Sequence, residues 1–264
     1  MRNGKVSQLL LASHCGRTID KTVFSHESSH YPPAICQKGN MYQASKSQIV
    51  ALLEAEAPGD TVIVRPNVDD QVIDGPALAH KLQPTTQVTV YALIHEKFIP
   101  YILLQFEFCN RIDLVWDIYL LYSLKKFCRD NRGSGIPRKV TLQMKLPANY
   151  MGFLRVDSNK EAFFLLIALE LSKIVLPPNK RLYTTFKDQV LCTEGSPLTL
   201  TRCTHEEADT RMFVHVADQV SHGYTRILMK TPDSDNVVLA VYVFGQIPGI
   251  RELWIAYGSY PNLR

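Results

Sequence analysis

The sequence predicts an α/β domain with a mostly parallel central sheet and helices on both faces. Two observations carry this. From residue 70 onward, short apolar runs of strand length alternate with stretches that are apolar at helical spacing. Three of the strand-like runs deliver an aspartate at or just beyond their ends, Asp74, Asp117 and Asp233. In open parallel sheets ligands bind at the carboxyl ends of the strands, so three acids at that edge mark a candidate site.

The elements are expected in this order. Residues 1–68 read as a peripheral or partly disordered extension, with a break at Tyr31-Pro32-Pro33, a polar stretch from Gln37 to Ser47 and one short helix, Ser45 to Glu56. The domain proper is 69–264. Gln71 to Gly75 reads as a buried strand, Pro76 to Leu82 as a helix, and Gln87 to Asn110 as a helix that Pro100 must kink or split. Arg111 to Asp117 is the second strand and Leu120 to Arg129 the next helix. Asn131 to Pro137 breaks the pattern inside a basic connecting region, 123–158. Ser158 to Leu176 follows as a helix capped by Ser158 or Asn159 and ended by Pro177-Pro178. Extended segments Leu182 to Cys192 and Leu198 to Thr201, a helix Glu206 to Val220 closed by Gly223, a strand Arg226 to Lys230, a helix Ser234 to Val243 and a strand Leu253 to Tyr257 complete the chain.

Composition narrows the function classes only a little. At 264 residues with 46% hydrophobic content, a sizeable core is expected. A net charge of +4 does not by itself demand a polyanionic partner. The longest apolar run, Phe163 to Leu176, contains Glu170 and Lys173 and is too short for a bilayer, and Leu9 to Ala12 is too brief for a signal peptide, so no membrane association is expected. Six cysteines without a CxxC pair are expected to be buried, reduced thiols of a nuclear or cytoplasmic protein, and Cys192, Cys203 and His205 lack the paired spacing of a zinc site.

The acids carry the chemistry. Thr204-His205-Glu206-Glu207-Ala208-Asp209 and Asp233-Ser234-Asp235 each stand where a helix begins and are themselves free of Lys and Arg. Packed together they would repel unless a divalent cation lay between them, which points to metal-dependent phosphodiester chemistry. Each also has a plain structural explanation. Thr204 with Glu207 forms a capping-box pattern, Asp209 suits a first helical turn, and Ser234 or Asp235 suits an N-cap. Asp74-Gly75 suits a turn, and Asp117 a surface position. The basic run from Ser123 to Lys145 suits a solvated face, His205 and His215 suit surface or helix packing, and Trp116 and Trp254 suit the core.

Taken together, Val72-Ile73-Asp74-Gly75, Leu114-Val115-Trp116-Asp117 with Ser123-Leu124-Lys125, Glu207-Ala208-Asp209 and Asp233-Ser234-Asp235 resemble, in order, motifs of the PIN-like nucleases of the flap-endonuclease type. The chain is also similar to a group of uncharacterised animal proteins, some of mobile-element origin, that share blocks matching Arg111 to Asp117, Asp157 to Lys160 and Glu206 to Arg211. The resemblance spans roughly residues 70–257. It implies that Asp74, Asp117, Glu207, Asp209, Asp233 and Asp235 form a carboxylate cup for two Mg²⁺ or Mn²⁺ ions, about 4 Å apart in enzymes of this kind. It implies that Lys125 and Arg129 steady the scissile phosphate, while Lys125, Lys126, Arg129, Arg132, Arg138 and Lys139 track a nucleic-acid backbone. Flap endonucleases carry a further acidic segment beyond the strand corresponding to Leu253–Tyr257, so the resemblance implies a C-terminally truncated version with a site that is partly degenerate. The expected function is therefore a nuclease acting on DNA or RNA. The alternatives are a catalytically silent nucleic-acid-binding domain and an α/β protein-interaction module.

Overall fold

A computed structural model describes residues 11, 13–16, 36–38, 40–42, 47–56, 66–119, 135–194, 200, 203 and 205–258. The chain divides into two compact units, Met1–Gln48 and Ile49–Arg264. The first contains a two-residue ribbon, β1 (Cys36–Gln37) antiparallel to β2 (Asn40–Met41), and the start of helix α1 (Ser47–Glu56). The expected helix Leu120 to Arg129 and nearly all of Leu198 to Thr201 lie outside the described residues.

The second unit is built on six strands: β3 (Asp70–Asp74), β4 (Arg111–Val115), β5 (Arg181–Phe186), β6 (Gln189–Cys192), β7 (Arg226–Thr231) and β8 (Glu252–Tyr257). Their order across the sheet is β6-β5-β4-β3-β7-β8, and every pairing is parallel except β5 with β6. The central strands β3 and β4 are buried along their whole length, as expected of parallel strands covered on both faces. Successive strands step outward from β3 to β6. The chain then returns to the other side of β3 to lay down β7, so the direction of winding reverses between β3 and β7. In such sheets this reversal opens a crevice at the carboxyl edge.

One face is covered by α2 (Gly75–Lys81), a long helix α3 made of Val90–Leu93, Ile94–Phe98 and Ile99–Gln105, then α4 (Tyr150–Leu154) and α5 (Asp157–Leu171). Their apolar side chains pack on Ile73, Ile112, Leu114 and Leu182. The opposite face is covered by α6 (Ala208–Ser221) and α7 (Ser234–Phe244), with Met212, Phe213, Val216 and Ala240 packed on Val72, Val115, Ile227 and Met229. This is the expected two-faced architecture.

Several local expectations are corrected. Pro100 neither splits nor ends α3, because the turn before it is of the wider π type, with Ile99 N donating to Ile94 O. Widening the turn accommodates a proline ring and its missing N–H, and the helix continues to Gln105. Helix α5 starts at Asp157 behind Val156 without a side-chain cap. Asn159 is instead fully buried, accepting from Arg138 N at 2.7 Å and donating to Ile136 O at 3.0 Å, which ties the 135–140 segment down. Trp254 lies half-buried on the edge strand β8, while Trp116 is a core residue. Among the described cysteines none is disulfide-bonded, but only Cys36 and Cys109 are buried and Cys15 is exposed. No helix among the described residues is long and apolar enough to cross a membrane.

Candidate functional site

The segment Leu114-Val115-Trp116-Asp117 is anchored by its tryptophan. After β4 ends at Val115, Trp116 N donates to Thr185 Oγ1 at 2.7 Å and its indole Nε1 to Thr184 Oγ1 at 3.1 Å. The hydroxyls of β5 thus take over from the backbone ladder. The indole packs on Phe164, centroids 4.5 Å apart, and covers Gly75, where a Cβ would lie 2.4 Å from the ring. Bulk on one side and two N–H bonds on the other fix the direction in which Asp117 leaves the sheet.

Asp117 then binds an element 91 residues later in the chain. Its Oδ1 accepts from Ala208 N at 2.9 Å, capping α6, and its Oδ2 accepts from Tyr119 OH at 3.2 Å. Beside it Ile118 N donates to Glu206 O at 2.7 Å. The capping box expected of Thr204 with Glu207 is corrected: Thr204 lies outside the described residues, and Glu207 is itself the N-cap residue, with extended backbone and no side-chain capping bond.

The other acids are positioned by the helices they start. Asp74 ends β3 and caps α2, accepting from Ala77 N at 2.8 Å. Asp233, not Ser234 or Asp235, caps α7, accepting from Asp235 N at 2.9 Å. Asp209, in the first turn of α6, accepts from Asn236 Nδ2 at 2.7 Å. Asn236 also donates to Thr231 Oγ1 at 2.9 Å, and that oxygen accepts from Asp233 N at 3.1 Å. One buried amide therefore links both acidic blocks. Asn236 was not among the expected site residues, and its only sequence signal was its position one residue past the Asp233-Ser234-Asp235 block.

Asp74, Asp117, Asp209 and Asp233 meet electrostatically. Burial pushes the Asp74 carboxyl up, Ala77 N pulls it down, and the charges of Asp117, Asp209 and Asp233 add to the rise, leaving it at about 7. Among the described residues no lysine or arginine pairs with Asp74, Asp117 or Asp233. Glu207 flanks this group as the N-cap of α6, and Asp235 stands exposed in the first turn of α7. Lys125, Lys126, Arg129 and Arg132 lie outside the described residues, whereas Arg138 and Lys139 are exposed.

Compared with models of known protein families, with characterised proteins and with solved structures, the chain matches none.

The donor set fits a hard divalent ion by its chemistry: carboxylate oxygens from strand ends, with the amide Oδ1 of Asn236 buried nearby and lacking a hydrogen-bond partner among the described residues. The arrangement is not closed. Among the described residues no three Asp, Glu, His or Cys side chains gather as ligands around one point. The hydrogen bonds supply the physical reason, since each of the four aspartates already gives one oxygen to an N–H donor. Closing on an ion requires their second oxygens to turn inward, that of Asp117 away from the Tyr119 hydroxyl.

Proposed function

We propose that this domain hydrolyses phosphodiester bonds of nucleic acid at the carboxyl edge of β3, β4 and β7, with Mg²⁺ or Mn²⁺ held by Asp74, Asp117, Asp209 and Asp233 and flanked by Glu207 and Asp235. The observation that carries the reading is the proximity of four aspartates at the winding reversal: burial raises the Asp74 carboxyl to about 7, and the charges of Asp117, Asp209 and Asp233 add to that rise. When bound, such ions supply charge stabilisation for the attacking and leaving oxygens of an in-line displacement.

The chain's own residues orient these acids. Ala77 N holds Asp74, Ala208 N and Tyr119 OH hold Asp117, Asn236 holds Asp209, and Asp235 N holds Asp233. Arg138 and Lys139, which are exposed, are assigned to the nucleic-acid backbone in this reading together with Lys125, Lys126, Arg129 and Arg132, and Lys125 and Arg129 are given the role of steadying the scissile phosphate.

The test is cleavage of single-stranded or branched DNA, and of the matching RNA, with Mn²⁺. Activity is expected in the wild type and lost in Asp233→Asn, and cleavage that survives this substitution rejects the site. A second reading is favoured by one observation: Asp74, Asp117 and Asp233 all cap helices, so the same acids serve a non-catalytic module equally well. In that case no cleavage occurs with either metal. Salt-sensitive nucleic-acid binding that disappears on neutralising Lys125, Lys126 and Arg129 then identifies a silent binder.

A further inference from the structure

A cavity of about 510 Å³ opens next to the acidic edge, on the face of the sheet that carries α2 and α3. Its floor is apolar, formed by Ile73 of β3, Leu78 of α2 and Ala256 of β8. Tyr101 of α3 contributes the one phenol ring among its lining residues. The Lys81 ammonium stands 4.6 Å from the centroid of that ring, with its Nζ 3.5 Å from the Tyr101 hydroxyl. From the other wall Lys230 of β7 enters, its Nζ held by Gln105 Oε1 at 2.5 Å. His80 also lines the cavity, and both burial and the charge of Lys160 draw its pKa down, so the positive charge of the lining comes from the Lys81 and Lys230 ammonium groups, beside the acidic edge.

The two sites are continuous. Asp74 belongs to the rim of the cavity, as does Thr231, whose Oγ1 organises Asp233 and Asn236. Lys230 faces the cavity three residues before Asp233. A ligand suited to this space carries a flat, weakly polar ring for Tyr101 and the apolar floor, and an anion for the two ammonium groups, within the roughly 300–1,000 Å³ typical of small-molecule sites. We propose that the cavity binds one nucleotide, its base against Tyr101 and its phosphate between Lys81 and Lys230. That the nucleotide is a residue of the strand being cut rests on the phosphodiesterase reading; the binding itself does not.

The experiment is equilibrium binding of 5′-dAMP and of a six-residue oligo-dA to the full chain in EDTA, followed by NMR shift perturbation. Saturable binding is expected, weakened about tenfold or more by Tyr101→Ala, as loss of one base stack implies. Lys230→Gln weakens it comparably, while Tyr101→Phe, which keeps the ring, binds like wild type. Tighter binding of the oligomer identifies a strand residue, and equal binding identifies a free mononucleotide; either supports the proposal. Absence of saturable binding, or binding untouched by both Lys230→Gln and Tyr101→Ala, overturns it. Failure of the catalytic reading is separable, because a protein that never cleaves yet binds dAMP through Lys230 retains the cavity site. A protein that cleaves with Asp233 dependence but passes neither binding test retains only the catalytic one.

Discussion

Asp70 opens β3 fully buried, and both its carboxylate oxygens lack a hydrogen-bond partner among the described residues. The reason lies in its neighbours. The Arg111 guanidinium is already shared between Asp113, at 2.7 and 2.8 Å, and Asp218, at 2.6 Å, while His215 and Gln219 add further bonds to Asp113. One cation serves two carboxylates and the third stays protonated: burial, then the charge of Asp113, push Asp70 up to about 9 against the pull of Arg111. The folded state therefore holds a proton that the unfolded state releases near its ordinary value of 3.8. Between those two values the unfolded state binds fewer protons, so this residue makes stability fall as pH rises, by at most about 1.4 kcal/mol per unit. Asp70→Asn keeps the shape and removes the titration. Urea midpoints from about pH 5 to about pH 8 are expected to decline less steeply in the variant than in the wild type, and parallel profiles would contradict the protonated state. In the same cluster Arg111→Met leaves Asp113 and Asp218 buried without their cation, and a loss of about 3–5 kcal/mol is expected in the same urea experiment.

At the level of elements, the junction of β4 with α2 shows how packing positions an acid. A Cβ at Gly75 would stand 2.4 Å from the Trp116 ring and 2.8 Å from Val115 O, the latter backbone that cannot swing away. Gly75→Ala is therefore expected to cost about 1–3 kcal/mol, measured as a lowered melting temperature, together with a change in the near-ultraviolet signal of Trp116. The strands and most helices here were legible because burial imposes a period. The runs that became β4 and β7 are centred on apolar residues, Val72-Ile73 forms the apolar centre of β3, and Gly223, in the left-handed region at φ +89°, marks the end of α6. The bonds that hold the acids were not legible. Asp117 caps a helix 91 residues away and Asn236 reaches back to Asp209, and a contact between distant residues leaves no local pattern. The π turn before Pro100 was hidden for a related reason, since the spacing of apolar residues does not report which carbonyl each N–H bonds.

For the molecule as a whole, the winding of the sheet concentrates negative charge. Because the chain reverses direction between β3 and β7, the ends of these strands, the residues just beyond β4 and the start of α6 come to one edge, and the charges of Asp117, Asp209 and Asp233 add to the cost that burial sets on ionising Asp74. Removing any of these charges relieves that repulsion, whereas a divalent ion converts it into binding energy, so metal and mutation act in opposite directions on the same quantity. In the apo state Asp233→Asn is expected to be at least as stable as wild type, since Asn retains an oxygen for Asp235 N while shedding a charge that bears on Asp74. Added Mn²⁺ is expected to stabilise the wild type by about 2.7 kcal/mol at a hundredfold excess over its dissociation constant, and to do so far less for the variant. Thermal melts across a Mn²⁺ titration measure both. Equal Mn²⁺ stabilisation of the two proteins would mean that the ion binds elsewhere, and an apo variant markedly less stable than wild type would mean that the cap at α7 outweighs the repulsion.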